Sequence, residues 1–344
     1  MPTPLQARLQ SLEAVLQEAN ISYQSLSPMA DTGLAHDHVW LHREGADWVA
    51  RLPKQSQMNL GPADNLAYEA ACYQRASQGG HVPGLHGLLE VSDRLPRGGL
   101  LVDAIAGQLA QLPQDLPRIA ETLASLHRLP LPDPPAPLLA PADPWRAMRE
   151  EVARQSEWLE QADLSAEVVA RIRDELAALP VALPDAERCL ISFDTHPGNF
   201  LIDAQGRAVL VDLEKCRYGL PGIDLAHTSL YTSTTWDLNS QAVLSLDEVV
   251  GFYRRWQAAM GTSPSAETLV ACRRATWLWS LTWCAKWRAQ HLRAKDAQQR
   301  GEDWSAELTD SAVIDHVRDR VEHYLSPPII DHVQDELQRL RATL

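Results

Sequence analysis

Ser192-Phe193-Asp194-Thr195-His196-Pro197-Gly198-Asn199-Phe200-Leu201-Ile202-Asp203 decides the fold of this chain, together with Val209-Leu210-Val211-Asp212-Leu213-Glu214 just after it. Phe200 to Ile202 and Ala208 to Val211 are short apolar runs around the turn signal Asp203-Ala204-Gln205-Gly206-Arg207, a pattern that predicts a β-hairpin. A hairpin brings its ends together, so Asn199 before the first strand and Asp212 after the second become neighbours. Two hard oxygen ligands side by side suit Mg²⁺, which takes one or two protein groups, waters and nucleotide phosphates. Asp194 lies five residues before Asn199, where it can accept a proton from an attacking hydroxyl. Singly, each of the three reads as an ordinary loop residue, because Asp, Asn, Pro and Gly gather in turns for local hydrogen bonding. Together, with a hairpin between them, they read as a phosphate-transferring site.

The segment from Ile191 to Ala226 resembles the catalytic core of the aminoglycoside phosphotransferase and choline kinase-like family, relatives of the protein kinases. The pattern there runs H-G-D-x-H-P-G-N, hairpin, D-x-E/G, then D-x-A. The resemblance implies that Asp194 is the catalytic aspartate and that Asn199 and Asp212 hold magnesium. It also implies that His196 and Asp224, the latter in Gly222-Ile223-Asp224-Leu225-Ala226, support the loop. The chain departs from the pattern at Ser192-Phe193, where the family usually has His-Gly. The implied fold is α+β and two-lobed, protein kinase-like: an N-lobe over residues 1–103 with a small antiparallel sheet, and a mainly helical C-lobe over 104–344 carrying hinge, catalytic loop and acceptor-binding helices. The implied activity is ATP- and Mg²⁺-dependent phosphorylation of a hydroxyl on a small molecule, aminoglycoside-, choline- or homoserine-like. A nucleotide-binding module without catalysis is the alternative that Ser192-Phe193 keeps open. Phosphorylation of protein side chains finds no room, since only twelve residues separate Asp212 from Asp224.

Upstream, His36 to His42 and Trp48 to Lys54 read as two strands joined by a Glu44-Gly45-Ala46-Asp47 turn, preceded by a lone Gly33. By resemblance, Gly33 belongs to the loop over the nucleotide phosphates. Arg51 sits where the family places a cation on those phosphates, with Lys54 as the runner-up. Glu69, eighteen residues after Arg51 on a predicted helix from about Pro62 to Gln78, matches the glutamate that pairs with that cation. A solvated strand-end cation and a surface glutamate are the plainer reading of both. His36, His38 and His42 share a strand face with Trp40. Three imidazoles suggest zinc, but over a span of about 20 Å they cannot all reach one ion.

Gly98 to Gly107 reads as a strand entering the inter-lobe hinge, Leu116 to Leu129 as a helix with Pro117 in its first turn, and the proline-rich run 129–145 as an extended connector. Helices are expected near Pro144–Gln161, Ser165–Leu179, Leu246–Met260, Ser265–Gln290 and Asp303–Leu325. Trp279, Trp283 and Trp287 recur every four residues in one of them, a stripe that suits core packing or a cation-binding wall. With 344 residues, 45% hydrophobic and 22% charged, the chain is of ordinary globular composition. A net charge of -14 argues against nucleic acid. It is compatible with a cationic acceptor, though acidity also serves solubility. Five widely spaced cysteines read as buried thiols of a reducing compartment. Leu5, Leu9, Leu12 and Leu16 make the N-terminus an amphipathic helix rather than a signal peptide or membrane span, so a cytoplasmic location is expected.

Overall fold

A computed structural model describes residues 4–29, 35–185, 187–237, 241–262, 264–297 and 311–344; the expected phosphate-loop residue Gly33 lies outside them. Helix α1 (Pro4–Glu18) precedes a five-stranded sheet of β1 (Ser25–Pro28), β2 (His36–His42), β3 (Trp48–Pro53), β4 (Leu85–Leu89) and β5 (Gly99–Asp103), and helix α2 (Pro62–Ala76) lies between β3 and β4. The strand order is β1-β2-β3-β5-β4, every pair antiparallel. Period-two alternation assigns the two faces. Val39, Leu41, Ala50, Leu52 and Leu101 pack with Leu12 and Leu16 of α1. Val49, Leu100 and Val102 join α2 residues such as Leu66 and Tyr73 in the main core. The same alternation puts His38 beside its register partner Arg51, on the α2 side.

β6 (Gly107–Leu109) leaves this sheet and joins the edge of a hairpin, β8 (Phe200–Asp203) and β9 (Ala208–Leu210), in which Phe200 stands opposite Leu210. β7 (Cys189–Ile191) pairs with β10 (Arg217–Gly219), Ile191 opposite Arg217. The helices of this second part are α3 (Leu116–His127), α4 (Pro144–Ser156), α5 (Ala166–Ala177), α6 (Pro221–Ser229), α7 (Tyr231–Thr234), α8 (Leu246–Met260), α9 (Ala266–Ala297), α10 (Ser311–Tyr324) and α11 (Pro327–Thr343). α9 is central, packing against α4, α5, α6, α10 and α11. The proline-rich connector ends where Asp143 caps α4, its Oδ1 accepting the Arg146 N–H at 2.9 Å. The single helix expected at Asp303–Leu325 is α10 among the described residues. A further helix, α11, follows at once, because Pro327 is tolerated at a first helical position. All five cysteines are buried free thiols. Among the described residues no helix is long and apolar enough to cross a membrane.

Candidate active site

Asp194 follows β7 through Ser192 and Phe193, whose φ of 66° is left-handed and uncommon for a bulky residue. The turn is held from the first turn of α6. Asp224 accepts the N–H groups of Ser192 and Phe193, each at 2.8 Å. His127, at the end of α3, donates its Nε2–H to the same carboxylate at 3.1 Å, while its Nδ1 accepts the Trp256 indole N–H at 3.0 Å. These bonds compensate a fully buried carboxylate. The Phe193 ring packs under the Arg217 guanidinium at 3.8 Å and edge-on to Trp279 at 5.4 Å. Ser192 donates its hydroxyl to the Asp212 carbonyl at 3.3 Å.

The Asp194 carboxylate accepts a hydrogen bond from Lys215 Nζ at 2.8 Å. Burial alone would raise its pKa, but the Lys215 ammonium, with His196 and His227 nearby, outweighs burial and holds it well below the usual carboxylate range. His227 Nδ1 lies 3.8 Å from the other Asp194 oxygen and accepts the Thr195 N–H at 3.0 Å. Burial, reinforced by His196 and Lys215, pushes this imidazole down to about 4, so it is neutral.

Pro197–Asn199 forms one tight helical turn leading into β8. Asn199 Nδ2 donates to the Asp194 carbonyl at 2.9 Å, which turns the side-chain oxygen away from that bond. The Val211 N–H bonds the Asn199 carbonyl at 2.9 Å, so the hairpin seats Asp212 beside Asn199. An anchored amide and a carboxylate that is 25% exposed form a donor set that fits a magnesium ion. Gly198 is needed by close approach: a Cβ there would stand 2.8 Å from Asp237 Oδ2. His196 sits beside Gly198, its Nδ1 buried without a hydrogen bond.

Arg51 crosses from the sheet to the hairpin. Its Nη2 donates to Asp212 Oδ1 at 2.7 Å, and its Nη1 lies 3.2 Å from the Val211 carbonyl and 3.0 Å from His38 Nε2. Glu69 does not pair with Arg51; its oxygens are taken by His36 Nε2 at 3.0 Å and Asn65 Nδ2 at 2.7 Å. Lys54 is buried with its ammonium 3.7 Å from Asp37, away from the cavity that Arg51 lines. His42 faces Asp47 at 3.2 Å, so the three strand histidines share no ligand.

Arg51, Asp194, Asn199 and Asp212 converge on one cavity of about 430 Å³, which Trp236, Trp279, Trp283 and Asp237 also line. The tryptophan stripe is therefore split: Trp279 and Trp283 face the cavity, while Trp277 and Trp287 are buried in the core. Lys215, His127, His227 and Trp236 escaped the sequence reading. Lys215 reaches Asp194 only because β10 pairs with β7, a long-range contact with no local signature.

Residues 30–308 match the sequence profile of a family described as the phosphotransferase enzyme family. No curated protein matches the chain significantly. Among solved structures, a macrolide 2'-phosphotransferase type I superposes with a TM-score of 0.61 at 14% identity, covering 93% of this chain and 99% of the other. The GDP complex of an aminoglycoside 2'-phosphotransferase-IIIa mutant gives 0.60 at 16% identity, covering 93% and 99%. A choline/ethanolamine kinase family protein from Mesorhizobium loti gives 0.54 at 20% identity, covering 97% and 99%.

Proposed function

Because the chain belongs to the phosphotransferase enzyme family and has its two-lobed protein kinase-like fold, we propose that it transfers the γ-phosphoryl group of ATP, with Mg²⁺, to a hydroxyl of a small molecule. The observation that carries this reading is the convergence of Asp194, Asn199, Asp212 and Arg51 on one cavity. Asp194 orients the acceptor hydroxyl and receives its proton as the new O–P bond forms and the bond to the β-phosphate bridging oxygen breaks. Its low pKa suits a loose transition state, in which the hydroxyl becomes acidic only as it bonds to phosphorus. Asn199 and Asp212 would hold magnesium, which neutralises charge on the β and γ phosphates when bound. Arg51 faces the same phosphates from the sheet. Residues 1–103 form the nucleotide cover and 104–344 carry the acceptor site. Transfer is favoured over nucleotide binding alone because the loop with Ser192-Phe193 is still held by two backbone N–H hydrogen bonds to Asp224.

The acceptor is a cationic amine bearing a hydroxyl. Three tryptophans and Asp237 line the same cavity as Asp194, and aromatic faces with a carboxylate attract a desolvated cation. The test is nucleoside diphosphate release by purified protein given Mg-ATP or Mg-GTP with a panel of hydroxylated amines. Phosphorylated product should appear, and Asp194→Asn should lower turnover by about 10³-fold or more while nucleotide affinity stays within about twofold. Nucleotide binding without transfer to any panel member would sink the proposal.

A further inference from the structure

Lys215 reaches Asp194 from the segment between β9 and β10, and hydrogen bonds fix that segment. The Cys216 N–H bonds the Leu213 carbonyl at 3.0 Å, the Tyr68 hydroxyl donates to the Cys216 carbonyl at 2.7 Å, and Arg217 Nε donates to the Lys215 carbonyl at 3.2 Å. The ammonium therefore stands on a fixed backbone, and it lines the cavity. An ammonium carries three N–H donors. Among the described residues one is used, on Asp194 Oδ2 at 2.8 Å, which leaves two with no protein acceptor. Burial would lower the Lys215 pKa, but Asp194 outweighs it, with Glu214 and Asp212 adding to the pull, so the group stays protonated. Its charge thus acts both on the carboxylate that orients the hydroxyl and on the one proposed to hold magnesium.

The bond to Lys215 also distinguishes the two oxygens of Asp194. Oδ1 accepts no hydrogen bond among the described residues. His227 Nδ1, 3.8 Å away, already accepts the Thr195 N–H and has no proton to give. Oδ1 is therefore the oxygen open to an acceptor hydroxyl. A phosphoryl group arriving at that hydroxyl meets an anionic carboxylate, and like charges a few ångströms apart repel. Stability alone does not account for a cation here, because a buried ion pair roughly breaks even against apolar side chains of similar volume. We propose that Lys215 is a second catalytic residue: one N–H fixes Asp194, and the two others bind oxygens of the phosphoryl group as it passes to the acceptor. The hydroxyl proton goes to Asp194 Oδ1 as the new O–P bond forms and the bond to the nucleotide's bridging oxygen breaks. Lys215 stays protonated throughout and supplies charge and direction.

This inference rests on the phosphotransfer reading, and its readout is calorimetric binding of Mg-ADP with and without aluminium fluoride, a mimic of the phosphoryl group in transfer. Asp194→Asn is the background of choice. Asparagine needs no counter-ion, so a lysine that serves only Asp194 becomes dispensable there, and removing both partners of a buried pair leaves no uncompensated charge. Adding Lys215→Met to Asp194→Asn should cut the gain in affinity from aluminium fluoride about tenfold or more and leave Mg-ADP alone within about twofold. An equal gain in the two variants would reduce Lys215 to a counter-ion and overturn the inference. A second measure is kcat of Lys215→Met at about pH 9, where Asp194 is ionised with or without its partner. A loss of about 10²-fold or more is expected there, and a kcat equal to wild type would overturn the inference. Either measure decides if the other variant does not fold. Wild-type protein that binds no Mg-ADP, or gains nothing from aluminium fluoride, removes the transfer reading and this inference together; a gain that survives Lys215→Met removes the inference alone.

Discussion

Burial by itself would make Asp194 a neutral acid, and the ammonium of Lys215 at 2.8 Å reverses that. Because the folded pKa is depressed, the pair contributes stability above the unfolded carboxylate value of about 4, and this is lost as pH falls through the folded value. Lys215→Met leaves Asp194 buried without its cation. Its pKa should rise, moving the acid limb of the kcat profile toward higher pH, so that kcat of the variant falls more at pH 5 than at pH 7. A pH-rate profile of wild type and variant checks this; coincident acid limbs would contradict it. Phe193 poses a contest between two opposing terms. Glycine would relieve the left-handed φ, about 1 kcal/mol, but it would delete a buried ring that packs on Arg217 and Trp279, about 3–5 kcal/mol. Packing wins, so Phe193→Gly should destabilise the protein by about 2–4 kcal/mol in denaturant titration, even though glycine is the family's usual residue there.

At the scale of elements, legibility followed locality. The hairpin of β8 and β9 was readable because its turn, its apolar runs and its flanking polar residues are contiguous. Helix α8 was readable because Leu246 to Met260 has one apolar periodicity, opened by Ser245 and Glu248, which exchange reciprocal bonds as a capping box. Ser245→Ala should cost about 1 kcal/mol, measurable as a shift in the denaturation midpoint. What stayed hidden was set by contacts between elements. The Glu69 carboxylate finds His36 rather than Arg51 because β2 and β3 are adjacent strands whose inward residues face α2 together, and sequence spacing records only that Glu69 follows Arg51. The split of the tryptophan stripe has the same origin: α9 is enclosed by five other helices, so rotation about its axis decides which indoles meet solvent.

For the molecule as a whole, sheet and helical parts both line one cavity, and mutations should sort by which part they fall in. Trp283 lies on the helical side, edge-on to Trp236 at 5.7 Å. Trp283→Ala should raise the KM of a cationic acceptor about tenfold and leave the nucleotide KM within about twofold. Equal effects on both KM values would place the acceptor elsewhere. The contact between Arg51 and Asp212 has a consequence for the order of events. Arg51 holds one oxygen of the carboxylate that would receive magnesium, so a metal at that oxygen would exchange with the guanidinium. A nucleotide changes the exchange, because its phosphates offer Arg51 a new anion at the moment Asp212 is given up. Arg51 thus serves as an internal counter-ion to Asp212, and metal and nucleotide should load as a unit.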